Sequence, residues 1–141
     1  MPVCMHLDDK LFFKKQTAFQ NNEIKKAYAI DIELGHNDIL LAGTLKIKII
    51  HTPGHTPGSV CLYIHNYLFS GDTLFVGNAG RTDMPGGDLD TLIHFIKNRI
   101  IPLPLDTILY PGHDYGDTPV STIGREIKEN IYITDFISPS D

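Results

Sequence analysis

Three times in this sequence an apolar run of strand length ends at a glycine, and the next residue is one that can ligate a metal. "LKIKIIHTPG" leads to His55, "YLFSG" to Asp72 and "DTILYPG" to His113. In the first run Leu45, Ile47 and Ile49 alternate with Lys46 and Lys48, the period of a half-buried strand. "SVCLYIHN" (59–66) reads as a second strand, with Val60, Leu62 and Ile64 on one face. "YLFSGDTLF" (67–75) reads as a third, broken at Gly71-Asp72 and preceded by a tight turn at Asn66. Strand ends along one sheet edge are where a rigid scaffold presents side chains to a loop-built cleft. A glycine beside such a residue lets the backbone turn sharply and leaves open space. Two imidazoles and a carboxylate suit Zn(II), Fe(II) or Mn(II). Taken singly, an Asp after Gly is more often a turn former, and a His beside Pro-Gly more often a surface residue. The threefold repetition favours the metal reading.

The remaining segments fill in an α/β sandwich or α+β layer, a single domain over 1–141. "PVCMH" is a short strand. Residues 7–26 are roughly helix-spaced, with Asp8 or Asp9 as cap and Asn21-Asn22 as an end. Residues 27–34 fit a strand or an irregular excursion, and 35–38 a turn. After a glycine-rich loop (77–88) comes an amphipathic helix over 88–101. Asp88 is its N-cap, Leu89, Leu92, Ile93, Ile96 and Ile100 form its stripe, and Pro102 and Pro104 stop it. A strand running into a loop (106–119) precedes a terminal helix over 121–133, capped by Ser121 or Thr122.

A formal net charge of -5 argues against a nucleic-acid surface and against anionic membrane. No apolar run approaches the roughly 20 residues of a membrane helix, and the first ten residues do not read as a signal peptide. A cytoplasmic protein is the expectation. Cys4 and Cys61 both lie in apolar strand-like runs and read as buried free thiols.

The motifs "HTPGHTPGSVCLY", "LFSGDTLFVGNAGRTDMPGGD" and "ILYPGHDYGDTPVSTIGREIKEN" resemble, in order and spacing, the second half of the metallo-β-lactamase superfamily. The most similar branch is that of glyoxalase II (hydroxyacylglutathione hydrolase) and its persulfide dioxygenase relatives. The resemblance runs from about Leu45 to Asn130 and implies an αββα sandwich, here its second half. It implies that His55 is a ligand of a first metal, that Asp72 is the catalytic carboxylate bridging two metals, and that His113 is a ligand of the second. Zinc is the implied metal, with iron as an alternative. Tyr115 falls where glyoxalase II enzymes contact the glutathione moiety. Arg81, in "GRTD", is a second candidate substrate contact, although its family role is loop support more than chemistry. His51 falls on no ligand position and reads as a strand-end residue that packs near the site. His6, His36, His65 and His94 match nothing.

One departure shapes the functional expectation. The family's H-x-H-x-D-H motif does not occur, and no His-x-His pair exists in the 141 residues. In the family that motif precedes the strand that "PVCMH" resembles, so the chain is expected to start just after it. Each metal would then keep two protein ligands, where a catalytic zinc takes about three plus water. The missing first half would also leave one sheet face bare, and exposed apolar area of that size marks a partner surface. A homo-oligomer covering that face is the expectation. The resemblance implies hydrolysis of a small-molecule thioester such as an S-acylglutathione, weak or absent in this chain by itself. Iron-dependent persulfide dioxygenation and a non-catalytic binding or assembly module are the alternatives. The helical C-terminal extension of true glyoxalase II enzymes is also missing, which fits a more generic small hydrolase.

Overall fold

A computed structural model of the protein describes residues 2–17 and 30–137. The elements are β1 (Cys4–His6), α1 (Leu7–Thr17), β2 (Ile32–Leu34), β3 (Ile39–Ala42), β4 (Leu45–His51), β5 (Val60–Ile64), β6 (Tyr67–Gly71), β7 (Leu74–Phe75), β8 (Asn78–Ala79), α2 (Leu89–Phe95), β9 (Ile108–Pro111), β10 (Ser121–Thr122), α3 (Ile123–Glu129) and α4 (Ile131–Thr134). Six strands make one sheet in the order β10-β9-β6-β5-β4-β3. Consecutive strands β3 to β6 pair antiparallel, β3–β4 and β5–β6 through short turns and β4–β5 through the longer loop 52–59. At the β5–β6 turn His65, beside the expected Asn66, takes the left-handed φ of 53°. Strands β6 and β9 pair in parallel, so the chain between them must cross over, and α2 lies on that crossover.

The register stacks Ile50 beside Cys61, and Leu68 beside Leu109, on one face of the sheet. Leu92, Ile96 and Ile100 from the α2 region and Ile123 and Ile133 from α3 and α4 pack with them in one buried cluster. Each such fully buried side chain contributes about 1.5–3 kcal/mol relative to exposure. Asp88 caps α2 as expected: its side chain accepts from the Thr91 N–H. Beyond Phe95 the helix continues as a π turn over Ile96–Ile100, with the Ile101 N–H donating to the Ile96 carbonyl. Ile96 and Ile100 both stay in the core.

Several expectations are corrected. Val60, Leu62 and Ile64 do share one face of β5, but the face packed against the helices is the opposite one, which carries Cys61 and Tyr63. In β4, Ile49 and Ile50 are both buried, so this strand is covered on both sides at its end. Neither Asp8 nor Asp9 caps α1, because both lie inside its first turn. His6 takes the cap position, and its Nδ1 accepts from the Asp8 N–H at 3.1 Å. The 121–133 segment is two helices, not one. Asn130 leaves helical geometry, ends α3, and caps α4 by accepting from the Tyr132 N–H. Cys61 is buried and Cys4 is exposed, both as free thiols. Cys4 sits on the two-stranded β1–β2 ribbon, beside Leu34, Leu40 and Phe69, over the sheet face that no helix among the described residues covers. The expected continuation of α1 to residue 26, its Asn21-Asn22 end and residues 27–29 lie outside the described residues. Among the described residues no helix is long and apolar enough to cross a membrane.

The quoted "GREIKEN" run explains itself through packing. Glu126, 1% exposed, accepts from the Gly77 N–H at 2.8 Å and from the Asn130 amide at 2.7 Å. It also accepts from the Ser121 hydroxyl. Asn130 donates to the carbonyls of Phe75 and Asn78 at 3.1 and 2.9 Å. This buried network straps α3 and α4 to the β7–β8 ribbon, which forms one wall of the cleft described next.

Candidate metal centre

His55, Asp72 and His113 come together at one end of the sheet. Asp72 follows β6, His113 follows its parallel neighbour β9, and His55 rides the loop between β4 and β5. The Gly112 N–H donates to the Gly71 carbonyl at 2.8 Å, which fixes the ends of β6 and β9 relative to each other. Two glycines are demanded by crowding here. A Cβ at Gly112 would sit 2.4 Å from Asp72 Oδ1, and one at Gly80 would sit 1.8 Å from the Asp72 carbonyl oxygen. A side chain at either place would push the carboxylate out of position.

The carboxylate is divided between the two imidazoles. His55 Nε2 is 3.5 Å from Asp72 Oδ2, and His113 Nε2 is 3.4 Å from Asp72 Oδ1. Donors sharing one tetrahedral metal at ~2.0–2.1 Å stand about 3.3 Å apart. His55 Nδ1 lies 2.8 Å from the Arg81 carbonyl. A carbonyl only accepts, so Nδ1 carries a proton there, and Nε2 is the nitrogen turned toward the carboxylate oxygen. A histidine ligand held through its other nitrogen by a backbone carbonyl is the usual outer support of a metal site. The residues present therefore fit a carboxylate shared between two metals.

These residues line a shallow cleft of about 230 Å³ with Phe75, Asn78, Ala79, Arg81 and Tyr115. All five sequence-expected site residues thus lie on one cleft. The Tyr115 ring stacks flat on His113, with centroids 4.9 Å apart and planes 5° apart. Phe75 meets both rings edge-on at 5.9 and 5.4 Å. Phe75 escaped the sequence reading, because an apolar residue at a strand end looks like ordinary core. Arg81 turns its guanidinium to Asp83, bonding it at 2.7 and 2.9 Å and holding that carboxyl below its ordinary pKa. It is the backbone carbonyl of Arg81 that contacts His55.

His51 ends β4, as expected, and its Nε2 bonds the Pro57 carbonyl at 2.8 Å. His6 stacks on it, with ring centroids 3.8 Å apart and planes 14° apart. Burial, followed by the neighbouring His51, holds the His6 imidazole below its ordinary pKa. With Asp8 these two histidines form a second cluster of metal-competent atoms. Nearly parallel rings cannot both hold one ion in plane, so the cluster as built is a packing contact. The sequence gives no sign of this pairing, since the partners are far apart along the chain.

The model of the metallo-β-lactamase superfamily matches residues 2–113. Over 98 residues the chain is 40% identical to the hydroxyacylglutathione hydrolase GloC of Haemophilus influenzae, covering 68% of this chain and 44% of that one. Over 106 residues it is 36% identical to the mitochondrial persulfide dioxygenase ETHE1 of Homo sapiens, covering 74% and 42%. The matched stretch spans under half the length of either relative. Among solved structures, the di-iron-bound form of TTHA1623 superposes with a TM-score of 0.69 at 31% identity, covering 92% of this chain and 64% of that one. The sheet, its helix-covered face and the candidate ligands at its strand ends are thus part of a metallo-β-lactamase fold, and the chain belongs to that superfamily, in its glyoxalase II-like branch.

Proposed function

We propose that this chain supplies the bridging half of a two-metal centre that hydrolyses thioesters of the S-acylglutathione kind. One observation carries the reading: Asp72 offers each carboxylate oxygen to a different imidazole, at 3.5 and 3.4 Å. His55 would hold the first metal, His113 the second and Asp72 both, with zinc as the resident ion. When bound, such metals polarise an acyl carbonyl and bring the pKa of a water from about 15.7 toward about 7. The Arg81 carbonyl keeps the Nε2 of His55 free to ligate. Tyr115, 70% exposed, presents its ring and hydroxyl where the thiol portion of the substrate would lie. Phe75 backs both rings. In the overall reaction the acyl carbon gains a hydroxyl, the C–S bond breaks, and the sulfur leaves as a thiolate that takes up a proton.

Two donors per metal fall short of the three that a catalytic zinc takes, so the remaining donors come from outside the described residues. On this reading the chain by itself is weakly active at most. The sheet face opposite the helices exposes Tyr67, Phe69 and Tyr110 at 41%, 41% and 37%, with Phe69 stacked on Tyr110 at 5.1 Å. A second copy of the chain is the proposed cover for this apolar ladder. A stable monomer at micromolar concentration in size-exclusion chromatography would overturn that.

The assay for the main reading is hydrolysis of an S-acylglutathione by the zinc-loaded protein. Slow turnover lost on chelation and in Asp72→Ala supports it. Zinc-loaded protein with no turnover above buffer favours the non-catalytic binding or assembly module. A second catalytic reading, iron-dependent persulfide dioxygenation, is favoured by the likeness to ETHE1 and to a di-iron structure. Iron rather than zinc in the purified protein, with oxygen uptake on a persulfide, would select it.

A further inference from the structure

We propose that Asp9, in the first turn of α1, is the positioning residue that aims His55 at the metal; the inference rests on the metal reading of His55. The loop from Thr52 to Ser59 has no regular secondary structure and is closed by the Thr52 N–H donating to the Ser59 carbonyl at 2.8 Å. His55 sits at its middle. On one flank the Gly54 carbonyl accepts from the Asp88 N–H at 2.8 Å, which ties the loop to the start of α2. A Cβ at Gly54 would lie 2.5 Å from Leu92 Cα, so the loop is pressed against that helix.

On the other flank the anchor is Asp9. Its Oδ1 accepts from the Gly58 N–H at 2.7 Å and its Oδ2 from the Thr56 hydroxyl at 2.8 Å. The bonds have a fixed direction. A carboxylate only accepts, so Thr56 must donate to it. Thr56 Oγ1 is then left to accept from the Ser59 hydroxyl at 2.7 Å, while Ser59 Oγ accepts from the Thr56 N–H at 3.1 Å. Asp9 thus sets the orientation of the whole hydroxyl chain next to His55. The approach is so close that a Cβ at Gly58 would lie 2.5 Å from the Asp9 nitrogen, and only glycine fits there. Phe12, one turn further along α1, meets the second glycine-rich loop: a Cβ at Gly86 would lie 2.8 Å from its ring. The helix therefore clamps both loops flanking the cleft, and Asp9 is the clamp's charged contact with the His55 loop.

The test is an NMR experiment on wild type, Asp9→Ala, Asp9→Asn and the neighbouring control Asp8→Asn, reading the ring nitrogens of His55 and His113 before and during titration with Zn²⁺. Without zinc, wild type and Asp8→Asn should show His55 as a single Nδ1–H tautomer. Asp9→Ala should show mixed tautomers, with Asp9→Asn in between because its amide oxygen still accepts one bond. With zinc, Asp9→Ala should weaken the His55 response by up to about tenfold, the lower end of the loss for a group that bonds a ligand directly, and leave that of His113 unchanged. If Asp9→Ala does not fold, Asp9→Asn carries the comparison. A folded Asp9 variant with wild-type His55 tautomer and zinc response would overturn the proposal. Zinc that moves neither histidine in wild type would sink the metal reading instead, while the tautomer result still judges Asp9.

Discussion

The two faces of the six-stranded sheet are built from similar residues and have different fates. On one, Cys61, Leu68 and Leu109 are fully buried under α2, α3 and α4. On the other, Phe69, one residue after Leu68, is 41% exposed, and Tyr110, one residue after Leu109, is 37% exposed. Strand chemistry does not separate them: β6 and β9 carry apolar side chains on both sides, the mark of strands meant to be covered twice. The difference lies in what the described chain supplies, helices for one face and only the short β1–β2 ribbon for part of the other. The proposed metal ligands sit at the end of the sheet, where both faces meet, and on that reading their count is short in the same way.

Thiol chemistry should show the largest contrast. Burial pushes the Cys61 thiol up from 9.0 to about 11, which cuts its thiolate fraction about 100-fold, and Cys61 is also inaccessible. A disulfide reagent on native protein should modify Cys4 rapidly and Cys61 only on unfolding; equal rates would break the comparison. Next in size, Leu68→Ala should cost about 2–5 kcal/mol in urea denaturation, as a cavity in a packed core does. Phe69→Ala should cost less than about 1 kcal/mol in the monomer. A Phe69→Ala cost that grows with protein concentration would sharpen the picture by revealing a second copy on the bare face. Glu126→Ala strips the acceptor from the Gly77 N–H, the Ser121 hydroxyl and the Asn130 amide, and should cost about 1–3 kcal/mol. The same unfolding assay should give about 1 kcal/mol for Asp88→Ala, the loss of a helix cap.

Much of the helix-packed half was legible from residues alone. The alternation in 45–50 and the breaks at Gly71 and Gly112 mark the strands that deliver the candidate ligands, and Asp88 marks the start of α2. What stayed hidden depended on distant partners. No periodicity links His6 to His51, or Asp9 to Gly58, because those contacts form only when α1 docks on a loop far along the chain. The face of β5 that takes the helices was ambiguous for a related reason: both faces are apolar, and only the crossover through α2 decides between them. Asn130 reads as an ordinary helix residue until its amide is seen bonded to the carbonyls of Phe75 and Asn78.

The central claim is that Asp72 joins two metal positions, one on His55 and one on His113. Metal content by mass spectrometry tests it most directly, on zinc-equilibrated wild type, His55→Ala, His113→Ala and Asp72→Ala at their native association state. The account predicts bound zinc in wild type, a partial loss in each histidine variant and the largest loss in Asp72→Ala. Metal-free wild type, or an Asp72→Ala protein with wild-type zinc, would contradict it.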